Sequence, residues 1–108
     1  MDRKLVIVAR KDLKLSPGKL AALYIMGDDP VGSDWHLREP LDKLDFLVVQ
    51  DIFMTETAEF WKAPDVADPT AIQTEVFFLP SATVPETDGS FTNTQRLVQW
   101  HDKGLDPP

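Results

Sequence analysis

The sharpest hydrophobic contrast along the chain lies at residues 44–61, LDFLVVQDIFMTETAEFW. Phe46-Leu47-Val48-Val49 is a continuous apolar run that stops abruptly at Gln50-Asp51. A Val-rich run of this kind reads as a strand buried on both faces. Thr55, with Glu56 and Glu59 just after it, then reads as the N-cap and first turn of a helix, where acidic side chains suit the helix dipole. Strand, loop and helix put Asp51 and Thr55 beyond a strand's carboxyl end, the place where open α/β sheets take ligands. The competing reading makes both of them ordinary loop and cap residues.

The same reading extends to either side. KLVIVA at 4–9 is a strand, and RKDLKLSP at 10–17 a basic loop. Gly18 to Ala22 has the makings of a helix start, but Leu23-Tyr24-Ile25-Met26 reads as strand and ends at Gly27-Asp28-Asp29-Pro30. That ending is a second carboxyl-end loop: Gly27 allows close backbone approach to a ligand and Pro30 fixes the turn, although a plain β-turn explains it equally simply. Ser33 or Asp34 can cap a helix with Leu37, Leu41 and Leu44 on one stripe, which Pro40 either restarts or kinks. Strand, helix and strand make a right-handed βαβ unit with both loops on one edge. Residues 63–73, APDVADPTAIQ, look like an inserted surface loop with one turn starting at Asp68-Pro69. Glu75 to Leu79 is a further apolar strand closed by Pro80, and Asp88-Gly89 is a turn. Phe91 to Trp100 is amphipathic by either period. The outline is α/β, a partial doubly wound (Rossmann-like), mostly parallel sheet. It is incomplete as a domain, because so few helices leave apolar faces uncovered.

Composition narrows the chemistry. A net charge of −7 over 108 residues argues against nucleic acid as the main partner. There is no cysteine, which excludes from these residues a disulfide framework, a cysteine-held iron–sulfur cluster, a thiolate zinc site and a cysteine nucleophile. His36 and His101 have no ligand partner at helical spacing, so no metal motif is assigned. No apolar run approaches the ~20 residues that span a bilayer, and no signal peptide is legible, so a cytoplasmic location is expected for the chain as written.

Several stretches together carry a family resemblance: LYIMGDDPV, LDKLDFLVVQDIFMTETAEFWKAP, DPTAIQTEVFFLPSA and DGSFTNTQRLVQWHDKGLDPP. Over residues 22–108 the chain resembles a contiguous part of the catalytic (alpha) subunit of molybdopterin-dependent formate dehydrogenases, of the respiratory type that is periplasmic and membrane-associated. The resemblance implies an α/β layer that helps bind the molybdopterin guanine dinucleotide cofactor, with the remainder of a formate dehydrogenase complex as partner. Asp51 and Thr55 match the family's D-x-x-x-T, whose carboxylate and hydroxyl contact a nucleotide end of the cofactor. Gly27 and Asp28 match a G-x-D/N-P loop, Gln50 the residue before the aspartate, and Gly89, Thr92 and Asn93 a G-x-x-x-N segment near the cofactor. The family's molybdenum ligand, its neighbouring histidine and its cluster cysteines have no counterpart here, so no catalytic residue is assigned. The resemblance therefore implies a segment that is not catalytic alone.

Residues 3–22, RKLVIVARKDLKLSPGKLAA, resemble instead the opening of archaeal and eukaryotic-type peptidyl-tRNA hydrolases, with Asp12 and Lys19 at matching positions. That resemblance stops at Leu23. It divides the chain into an N-terminal part of different origin, 1–22, and a molybdopterin oxidoreductase-like part, 23–108. Three readings follow. The chain is a cofactor-cradle fragment; or a peptidyl-tRNA hydrolase relative; or a cofactor-free interaction module or chimera. An uncovered sheet also favours self-association.

Overall fold

The computed structural model describes residues 4–8 and 20–107, the first group by backbone alone. Four strands form one parallel sheet in the order β1 (Lys4–Val8), β2 (Leu20–Met26), β3 (Phe46–Asp51) and β4 (Glu75–Pro80). The order is monotonic, as in one half of a doubly wound sheet. The basic loop at 10–17 and positions 18–19 lie outside the described residues, and where the helix start read at Gly18 to Ala22 is described, from Leu20 on, it is strand. Register is continuous across the last three strands: Leu23 pairs with Leu47 and Leu47 with Val76, and two residues on, Ile25, Val49 and Phe78 form the next row.

These two rows are the buried face. Leu23, Ile25, Leu47 and Val49 are inaccessible, and the crossovers press Val31, Leu41, Leu44, Ala58 and Phe60 against them. Among the described residues the opposite face is more open, although Ala22 on it is buried. Phe46, read from the sequence as part of a strand buried on both sides, is 38% exposed, and Val48 is half-buried. The apolar run is real, but among the described residues only one helical layer exists to cover it.

The β2–β3 crossover is not one helix. It is three single turns: α1 (Pro30–Ser33), a 3-10 turn at Trp35–Leu37, and α2 (Arg38–Leu41). Asp34 interrupts it with extended backbone, its carboxylate accepting from the His36 amide at 3.1 Å. Pro40 is tolerated because the first-turn amides of a helix have no intrahelical acceptor anyway. The expected stripe survives, with Leu41 and Leu44 in the core and Leu37 half-buried. Thr74 closes this crossover by donating to Leu41 O at 2.7 Å and Leu44 O at 3.0 Å, and so anchors the start of β4. Arg38 pairs with Asp42 at 3.1 Å and with Asp65 at 3.0 Å, fastening α2 to the 63–68 loop.

The β3–β4 crossover contains no α-helix. The Glu59 amide donates to Thr55 O at 3.1 Å, one α-turn, and a 3-10 turn follows at Phe60–Lys62. Pro64 helps to stop it, since the residue before a proline is pushed from helical to extended backbone, as Ala63 is at ψ 145°. The turn expected at Asp68-Pro69 is present, with Asp68 capping Pro69–Ala71. The period-ambiguous stretch after Gly89 is an antiparallel hairpin of β5 (Gly89–Thr92) and β6 (Val98–His101). No described helix is long and apolar enough to cross a membrane.

Candidate functional site

Parallel pairing brings the ends of β2 and β3 to one edge. Met26 is in register with Gln50, and the Gly27 amide donates to Gln50 O at 2.9 Å. Gly27 has φ +59°, a conformation that glycine adopts without the strain an L side chain would meet, and the space beside its Cα is open. Asp28 turns its carboxylate onto the next amide, Asp29 N, at 3.0 Å. On β3, Asp51 accepts from the Ile52 amide at 2.6 Å, and its carbonyl accepts from Ser81 N at 2.9 Å. A carboxylate has about four acceptor positions, so the Ile52 bond leaves Asp51 with capacity for a ligand's donors. The sequence-assigned Gly27, Asp28, Gln50 and Asp51 thus share one crest. Gln50 differs from its neighbours in aim: its Oε1 accepts from the Tyr24 hydroxyl at 2.5 Å. Tyr24 belongs to the row of the open face, so that amide is occupied on the face and not over the loop.

Thr55 does not cap a helix. Its hydroxyl is buried with no hydrogen-bond partner among the described residues. It lines a groove of about 440 Å³ together with Val31, Trp35, Met54, Phe60 and Pro64. The capping expected of Thr55 is performed from another segment. Asp29 Oδ1 accepts from the Thr57 amide at 3.0 Å, from the Thr57 hydroxyl at 2.6 Å and from the Gly32 amide at 3.3 Å. Thr57 is fully buried, and its hydroxyl in turn accepts from the Val31 amide at 3.0 Å. One carboxylate therefore caps α1 and the 55–59 turn together. Burial raises the Asp29 pKa, but the hydrogen bonds from the Thr57 hydroxyl and the Thr57 and Gly32 amides, with a proton shared with the neighbouring Glu56 carboxyl, outweigh it and hold the acid below its ordinary value.

Asp29 was legible as the cap before Pro30, the same Asp-Pro signature as Asp68-Pro69. Thr57 carries no local signal, because its partner lies 28 residues earlier. With no helix beginning at Thr55, the helix-dipole argument for a phosphate at that point has no structural basis. Gly89, Thr92 and Asn93 lie on the hairpin, and among the described residues no hydrogen bond joins them to the crest. Gly89 opens β5, Thr92 pairs with Val98, and Asn93 Oδ1 organises the hairpin loop by accepting from Gln95 N at 2.9 Å and Leu97 N at 3.1 Å. Among the described residues no group of His, Cys, Asp and Glu is placed to hold a metal.

The fold is a parallel α/β sheet with acidic loops beyond the carboxyl ends of two adjacent strands. Comparison with known proteins gives a particular relation: the chain is related to a segment of formate dehydrogenase alpha subunits. It is 43% identical over 93 residues to the formate dehydrogenase subunit alpha of Megalodesulfovibrio gigas, covering 83% of this chain and 9% of that protein. It is 43% identical over 101 residues to the nitrate-inducible formate dehydrogenase major subunit of Escherichia coli K12, covering 87% of this chain and 10% of that protein. An F420-dependent formate dehydrogenase 2 subunit alpha of Methanococcus maripaludis is 37% identical over 111 aligned positions, covering 100% of this chain and 14% of that protein. The chain thus spans about a tenth of the length of the curated relatives it matches. The last match includes residues 1–22, and none of these relatives supports a peptidyl-tRNA hydrolase origin for them. No family model matches the chain.

Proposed function

We propose that this chain is a cofactor-cradle segment of a formate dehydrogenase-type alpha subunit, contributing to the binding of a molybdopterin guanine dinucleotide and performing no redox turnover by itself. One observation carries the reading: in a relative of formate dehydrogenase alpha subunits, the Gly27 amide bonds Gln50 O and so sets the Gly27-Asp28 loop beside Asp51 at the carboxyl edge of a parallel sheet. The residues fit the guanine end of such a group. Guanine presents N1–H and an exocyclic amine, two donors that match the acceptor capacity left on Asp51, and the open space at Gly27 admits a ring close to backbone. Thr55 adds a buried hydroxyl that no protein group satisfies. The cofactor itself supplies the oxidation–reduction chemistry, while these residues bind and orient it. Gly89, Thr92 and Asn93 join the reading only through the family resemblance. The remaining parts of the subunit and of its complex are the partners this reading requires.

The test is calorimetric titration of the chain with GMP and with AMP. A bidentate match to one carboxylate predicts a preference for GMP worth about 1–3 kcal/mol, by analogy with base-edge readout. Asp51→Asn, which exchanges one acceptor for a donor, should erase that preference and leave the fold intact. Equal affinities for both bases in the unmutated chain, or none at millimolar ligand, would refute the cradle reading.

A further inference from the structure

We draw no further inference here: the strongest candidate, the groove between the two crossovers that Trp35, Met54 and Thr55 line, carries nothing of its own, because Thr55 belongs to the site already described and nothing in the structure shows what fills the groove.

Discussion

The Thr57 hydroxyl donates to Asp29 Oδ1 at 2.6 Å and ties the loop after β2 to the loop after β3. Thr57 also donates its amide to the same oxygen at 3.0 Å, so the two loops are joined through a pair of residues that neither lie on a strand nor belong to the sequence-assigned site. The same hydroxyl accepts from the Val31 amide, so it bridges a carboxylate and a backbone donor in a fully buried position.

Thr57→Val preserves shape but leaves the Val31 amide unbonded and deprives Asp29 of its shortest bond. A buried unsatisfied donor beside a weakened charged pair should cost about 2–3 kcal/mol. Thr57→Ser keeps the hydroxyl and loses only a methyl group, about 1 kcal/mol. Urea unfolding of the two variants compares them, and equal losses would mean that the hydroxyl bridge contributes nothing.

Gly32 lies close against the latch. A Cβ there would stand 2.2 Å from Asp29 Oδ2 and 2.9 Å from its Cγ. The carboxylate cannot swing aside without releasing Thr57, so Gly32→Ala should destabilise by about 1–3 kcal/mol, the usual cost of overpacking. Because both changes act on one carboxylate, Gly32→Ala and Thr57→Val together should cost clearly less than their sum. Strict additivity in the double-mutant cycle would show two independent defects.

Acid should loosen the latch. The Asp29 pKa in the folded chain is held below its ordinary value of 3.8. A depressed carboxyl pKa contributes stability that is complete above the ordinary value and is lost as pH falls through the folded one. Stability should therefore drop below about pH 4, and Asp29→Asn, less stable at neutral pH, should show a shallower drop. Asp68 and Glu86 are lowered as well, by hydrogen bonds from Thr70 and Thr83, and act in the same direction from exposed positions. Unfolding midpoints taken across that range test the point. Parallel acid limbs for the two chains would assign the acid loss to other groups.

The sheet was legible because its signals are local. Runs such as Leu23–Met26, Phe46–Val49 and Glu75–Leu79 read as strands because they are short and each is stopped by Gly, Gln-Asp or Pro, and their ends place the crest loops. Pro30 and Pro69, each preceded by Asp, mark their turns in the sequence itself. What stayed hidden depends on distant partners. A Thr followed by acidic residues looks the same whether it caps its own helix or leaves that task to a carboxylate from another loop, and Asp29 performs it here. An uncovered face is expected from the shortage of helices, although the Phe46–Val49 run taken alone reads as buried on both sides, since an apolar run does not reveal whether a second layer covers it. The relation to formate dehydrogenase alpha subunits was readable from ordered stretches of text, but which residues of this chain engage a ligand was not.

Thr55 offers the cleanest separation of folding from binding. Among the described residues its hydroxyl is buried without a partner, in the groove that Trp35 and Met54 also line. An unsatisfied buried hydroxyl is a net cost, so exchanging it for a methyl group of the same shape should be neutral or stabilising. Thr55→Val is therefore expected to raise unfolding stability by about 0.5–1.5 kcal/mol. If the hydroxyl is kept because a nucleotide group bonds it, the same variant should bind GMP several-fold more weakly, and Thr55→Ser should recover the affinity. Stability and affinity would then move in opposite directions, which a purely structural residue does not produce. Urea unfolding and calorimetric titration on the same preparations give both numbers. A variant that is more stable and binds as before would remove Thr55 from the site, and one that is markedly less stable would show that its hydroxyl has a partner in solution.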